Sequence, residues 1–113
     1  MIQRGEIYLT DLSGYLGSEQ SGTRPVLVVQ NDTGNANSPT TMVVPLTSKH
    51  KPRLPTHIQL LPKECGLARR STALCEQMRV IDKSRLMKRL GKIEDIAKLE
   101  EINRRLMISI GIG

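Results

Sequence analysis

The stretch SGTRPVLVVQND, Ser21 to Asp32, decides the fold. Its apolar run, Val26 to Val29, reads as a buried strand. Arg24 stands beside Pro25 at the mouth of that strand. It is expected where strand meets loop, on a rigid backbone and facing away from the core. Just upstream, Gly17-Ser18-Glu19-Gln20-Ser21-Gly22 reads as a flexible polar loop. A fixed cation beside such a loop suits the holding and attack of a phosphate.

Working outward, residues 5–12 (GEIYLTDL) set Ile7 and Leu9 against Tyr8 and Thr10 and read as a first strand, with residues 24–30 the second. Asn31 to Pro39 is rich in Asn, Gly, Ser and Pro and reads as a loop. Residues 41–47 (TMVVPLT) form a third strand, in which Pro45 implies an edge or a bulge. Lys49 to Pro55 is a basic loop with two prolines, and 56–61 is a fourth strand. Residues 71–81 are one long strand or a bent pair. From Ile93 on, Ile96, Leu99, Ile102, Leu106 and Ile110 recur every three or four residues, the mark of an amphipathic helix. Glu94 and Asp95 fall in its first turn, where the helix dipole favours acids. Several short strands before one long helix predict an α+β fold built on a small, curved, barrel-like antiparallel sheet.

A chain of 113 residues fits one domain, 1–113, large enough for a core without staples. Its formal net charge is +6 and its pI about 9.8, which favours an acidic partner such as nucleic acid. With no Trp, no Phe and only Tyr8 and Tyr15, base stacking on aromatic platforms is excluded as the main binding mode. Charge, hydrogen bonds and groove shape remain. Cys65 and Cys75 lack metal-site spacing, and His50 and His57 complete no zinc set. Cys75 reads as a small core residue and Cys65 as inert in a loop. No metal or cofactor is expected. Reduced thiols and the lack of a signal peptide fit the cytoplasm, and no run approaches the roughly 18 apolar residues of a membrane span.

The pieces RGEIYLTDL (4–12), GSEQSGTRPVLVVQND (17–32), Thr47-Ser48 after an apolar strand, LPTHIQL (54–60) and CEQMRVIDKSRL (75–86) occur in an order and spacing that resembles the MazF/PemK family. These are the toxins of bacterial type II toxin–antitoxin pairs. The resemblance covers almost the whole chain. It implies an SH3-like barrel of the CcdB/PemK type with a C-terminal α-helix, assembled as a homodimer. It implies a metal-independent, ribosome-independent endoribonuclease that cuts single-stranded mRNA at short sequences. It also implies an antitoxin whose acidic C-terminal segment blocks the RNA groove.

Cutting RNA without a metal uses the substrate's 2′-hydroxyl as nucleophile. The site must take its proton, stabilise charge on the phosphorane and protonate the leaving 5′-oxygen. By resemblance the catalytic arginine is Arg24, whose planar fork matches two phosphate oxygens. The catalytic threonine is Thr47, whose hydroxyl can donate to phosphate or position the 2′-hydroxyl. The general base stays open between Glu19 and Glu76, either of which could accept a proton or bind RNA by reading an exocyclic amine of a base. Some relatives carry an arginine where this chain has Leu74, before Cys75-Glu76-Gln77, which shifts weight to Arg24 and Thr47. Glu19, Gln20 and Gln77 suit base edges. Ser48 beside Thr47 suits a phosphate, and so does Ser18 in the loop. Lys49, Lys51 and Arg53 suit the RNA path, where phosphates attract cations without reading sequence. His57 reads as structural, and Arg79 could pair with a carboxylate or RNA. The helical stripe reads as core or dimer packing.

Two rivals differ in class. A CcdB-like gyrase poison on the same fold ends in Trp-Gly-Ile, whereas this chain ends Ile110-Gly111-Ile112-Gly113 and has no tryptophan. An inert binding module of the SH3 type lines its groove with aromatics, which are nearly absent here.

Overall fold

A computed structural model describes residues 1–14, 17, 19–49 and 53–113. Seven strands alternate with short helical turns. In chain order they are β1 (Glu6–Asp11), β2 (Thr23–Val28), α1 (Asp32–Asn37), β3 (Thr40–Thr47), β4 (His57–Leu60), α2 (Pro62–Cys65), β5 (Ser71–Leu74), β6 (Arg79–Asp82), β7 (Leu86–Lys92) and α3 (Ile96–Ser109). All pairs are antiparallel and the order is β4-β5-β3-β2-β1-β7, with β6 on β3.

The apolar run of β2 is buried on both faces, which is why it lacks alternation. Ile7, Leu27 and Val44 lie opposite one another across three strands. They open the larger cluster, which continues through Leu46, Ile58, Leu60, Ala73 and Ile93 and is covered by α3 through Leu99, Ile102 and Leu106. Val26 and Val28 point the other way. With Leu12, Val43 and Ile81 they form a smaller cluster, joined by Tyr8 and Leu86. β1 therefore does not keep the simple alternation expected of it. Thr10 is buried and Leu9 only partly so, because the β1–β7 register slips twice along the strand.

Pro45 does not mark an outer edge. β3 lies inside the sheet and changes partners along one side, pairing β6 over Thr40–Val43 and β5 over Leu46–Thr47. Val44 and Pro45 fall in the gap, where a missing N–H breaks no ladder. Residues 71–81 are the bent pair: a 3₁₀ turn, Cys75–Gln77, separates β5 from β6 opposite that gap.

The helix begins later than the periodicity suggests. Asp95 is its N-cap, accepting from the Ala97 N–H at 3.1 Å, and Ile93 lies in the core ahead of it. Ile96 is 72 % exposed, so the packed stripe is Leu99, Ile102 and Leu106. Three elements, α1, α2 and β7, were not expected. Asn31–Pro39 contains α1, capped by Asn31 and held by the buried Asn35, which bonds Gln30 and Thr41. β7 closes the sheet against β1. Its Gly91 passes so near α2 that a Cβ there would lie 2.0 Å from the Cys65 carbonyl oxygen.

Candidate active site

Arg24 is the second residue of β2 and Thr47 the last of β3. The two strands run antiparallel with Val26 opposite Pro45 and Val28 opposite Val43. The ladder stops at Val26, and its register carried two residues further sets Arg24 across from Thr47. Both then share a face with Val26 and Val28. Arg24 thus does not turn away from all apolar packing. It ends the smaller cluster's face and is half-buried.

The same face gathers polar residues from neighbouring strands. Thr10 of β1 lies opposite Arg24, Thr72 of β5 opposite Thr47, and Gln59 of β4 opposite Thr72. Arg79 of β6 lies opposite Val43, so a second guanidinium stands on this face. Apolar in its middle, the face becomes cationic and hydroxylic at one end.

Local bonds fix the groups. Arg24 Nε donates to the Ser21 carbonyl at 2.6 Å, which ties the guanidinium to the loop before it; among the described residues no hydrogen bond engages its outer nitrogens. The Lys49 N–H donates to Thr47 Oγ1 at 3.2 Å, so this hydroxyl can still donate its own proton. The loop is closed at its root by Leu12 N–H to Gly22 O, 2.9 Å. Gln77 Oε1 accepts from the Gln20 N–H at 2.9 Å, and Arg79 Nη2 is 3.5 Å from the same oxygen.

Glu76 is held on both oxygens, by the Thr56 hydroxyl at 2.8 Å and by His57 Nε2 at 3.0 Å. The Leu54 N–H faces His57 Nδ1 at 3.4 Å, which puts the ring proton on the Glu76 side. Burial opposes ionisation of Glu76, but the Thr56 and His57 bonds outweigh it and hold its carboxyl below the usual glutamate range. His57 is buried, its ring held against Glu76. Burial pushes the Cys75 thiol up to about 12 and raises that of Cys65, so both stay neutral. Cys65 is a buried residue of α2, not of a loop.

A cleft of about 550 Å³ opens between β4 and α3, lined by Arg53, His57, Gln59, Thr72, Lys98 and Arg105 among others. It meets the polar row at Gln59 and Thr72. Its cations are partly spent: Lys98 pairs with Glu64 at 3.2 Å, and Glu101 lies 3.8 Å from both Lys98 and Arg105.

Residues 3–110 match the family of PemK-like, MazF-like toxins of type II toxin–antitoxin systems. The chain belongs to that family. It is an endoribonuclease toxin of a toxin–antitoxin system. Among curated relatives, Endoribonuclease MazF of Staphylococcus saprophyticus is 43% identical over 113 residues, covering 99% of this chain and 93% of that protein. Among solved structures, MazF of Deinococcus radiodurans superposes with a TM-score of 0.82 at 25% identity, over 98% of this chain and 97% of that one. A mycobacterial endoribonuclease solved in complex with its cognate antitoxin gives a TM-score of 0.82 at 24% identity, over 100% of this chain and 98% of that one. At that identity the likeness concerns the fold.

In the toxin, the residues expected at the site fall into three groups. Arg24 is tied to Ser21 and Gln20 to Gln77, while Thr47 ends the strand that pairs with β2. Glu19, Ser48, Lys49 and Arg53 are exposed on the loops that border it, and Glu76 is exposed on the turn itself. Ser18 and Lys51 lie outside the described residues. Arg79 is the residue whose place sequence reading left open; only the β3–β6 register puts it on the face of Arg24. No helix of the described residues is long and apolar enough to cross a membrane.

Proposed function

We propose that the toxin cuts single-stranded mRNA at short specific sequences, without a metal and without the ribosome. The 2′-oxygen attacks the adjacent phosphorus as the bond to the 5′-oxygen breaks. One fragment then ends in a 2′,3′-cyclic phosphate and the other begins with a 5′-hydroxyl. The observation that carries this reading is the β2–β3 register, which, carried two residues past Val26 and Pro45, sets one fixed guanidinium, Arg24, across from one hydroxyl, Thr47.

Arg24 would stabilise the charge that grows on the non-bridging oxygens. One such donor is worth about 3–4 kcal/mol where charge develops away from water. Thr47 would donate to a phosphate oxygen or orient the 2′-hydroxyl. The proton lost from the 2′-hydroxyl passes to a carboxylate, and the 5′-oxygen takes one from water as it leaves. Glu19 and Glu76 are the carboxylates near the site. The bonds that keep Glu76 anionic occupy both its oxygens and lower its basicity, so the acceptor stays open between the two. Ser48, Lys49 and Arg53 would track the phosphates on either side.

The reading extends to partners. Structures of relatives with their antitoxins support a cognate antitoxin here, and the charge of +6 suits an acidic C-terminal segment. Residues 1–113 would act as one endoribonuclease domain, paired as a homodimer and meeting mRNA in the cytoplasm.

The test is digestion of one long RNA by the purified toxin with and without EDTA, followed by analysis of both fragment ends. Cyclic phosphate and 5′-hydroxyl ends at a recurring short motif, unchanged by EDTA, are expected. 5′-phosphate ends, or cleavage abolished by EDTA, would contradict the reading.

A further inference from the structure

Gln77 has the side chain of a base reader, but its amide oxygen is already engaged. It accepts from the Gln20 N–H at 2.9 Å and faces Arg79 Nη2 at 3.5 Å. Both neighbours are donors, so the oxygen and not the amide nitrogen must face them. The bond spans 57 residues of sequence and ties the loop before β2 to the turn between β5 and β6. Gln20 is only 9% exposed. One residue on, the Ser21 carbonyl receives Arg24 Nε at 2.6 Å. A continuous set of contacts therefore runs from Arg79 through Gln77 and the Gln20–Ser21 backbone to Arg24.

The turn that carries Gln77 is itself rigid. Cys75 is fully buried, its N–H donates to Thr56 O at 3.2 Å, and the Met78 N–H closes the turn on Cys75 O. Gly17 and Gly22, before β2, both have positive φ, which glycine adopts without steric cost. A 3₁₀ turn holding the Gln20 backbone by one side-chain oxygen is the arrangement of a latch.

We propose that Gln77 is a positioning residue for Arg24: it pins the Gln20–Ser21 backbone and thereby aims the guanidinium, and it does not read RNA bases. This rests on Arg24 being the catalytic cation. Gln77→Glu keeps an oxygen for the Gln20 N–H and for Arg79 but removes both amide donors. Gln77→Ala removes the latch.

The experiment measures kcat, KM and the cleavage motif for the purified toxin, both Gln77 variants and Arg24→Ala, with hydrogen exchange at the Gln20 amide. In Gln77→Ala the Gln20 amide should exchange faster. Its kcat should fall by about 10²-fold, the scale of a misplaced catalytic group, with KM and motif kept. Gln77→Glu should restore slow exchange of the Gln20 amide, keep the parental motif and cut faster than Gln77→Ala. The proposal is overturned if folded Gln77→Ala cuts at the parental rate. It is equally overturned if Gln77→Glu is as slow as Gln77→Ala or cuts at a different motif, as a base reader would. Should Gln77→Ala fail to fold, Gln77→Glu alone decides: the parental motif with a protected Gln20 amide is expected, and a changed motif overturns the proposal. Arg24→Ala separates the layers: parental activity there removes the catalytic reading, whereas an inactive Arg24→Ala beside a normal Gln77→Ala removes only the latch.

Discussion

The two faces of the sheet are built for different work. The face under α3 is apolar from end to end, from Ile7 through Leu46 and Ile58 to Ile102. The opposite face is apolar only in its middle, at Val26, Val28, Val43 and Ile81, and then gives way to Arg24, Thr47, Thr72 and Arg79. One chain segment, Arg24 to Val29, serves both. Leu27 and Val29 enter the larger cluster, Val26 and Val28 the smaller, and Arg24 ends the smaller one's row. A cation held this way owes its position to burial two residues away. Stability and activity should therefore separate by face.

The largest expected effect breaks the covered face. Ile102 is 1% exposed and is the one buried residue of α3, so Ile102→Ala should cost about 2–5 kcal/mol of stability. Denaturant titration measures the loss, and the fraction still folded should cut RNA at the parental rate. Arg24→Ala should do the reverse. Its cleavage rate should fall by about 10²–10³-fold, while its melting temperature stays close to that of the parent. If both variants lost activity and stability together, the division between faces would fail.

A subtler contrast lies at Glu76, on the border of the open face. Its folded carboxyl ionises below the ordinary glutamate range, so it contributes stability above that range and loses it as pH falls through the depressed value. The melting temperature of the parent should exceed that of Glu76→Gln above about pH 5, and the gap should close toward about pH 3. A gap that persists at the acid end would mean that the Thr56 and His57 bonds do not favour the anion. Smallest is the effect of thiol reagents. Cys65 and Cys75 are both buried and neutral, so neither should react with a maleimide until denaturant unfolds the chain. Fast labelling of the native protein would show that the covered cluster opens.

Much of this was legible in the sequence where periodicity is local. The apolar run 26–29 and the stripe Leu99, Ile102, Leu106 announce their elements without help from the rest of the chain. β7 does not, because bulges in its pairing with β1 break the two-residue period and its surface is mostly charged. α1 does not either. Asp, Thr, Gly and Asn are poor helix formers, and the turn exists because Asn35 finds Gln30 and Thr41 inside the fold. The site follows the same rule. Arg24 beside a strand and a flexible loop could be read locally, and the resemblance supplied Thr47 as its companion. That Arg79 shares their face, and that Gln77 grips the loop at Gln20, depends on strand register and on a bond across 57 residues.

The most direct measurement is a crystal structure of the toxin with an oligonucleotide made uncleavable by a 2′-deoxy sugar at the scissile step. The Arg24 guanidinium should lie about 3 Å from the scissile phosphate oxygens, with the Thr47 hydroxyl within hydrogen-bond reach of the same group. RNA bound with its scissile phosphate against α3, and Arg24 turned to solvent, would contradict the account.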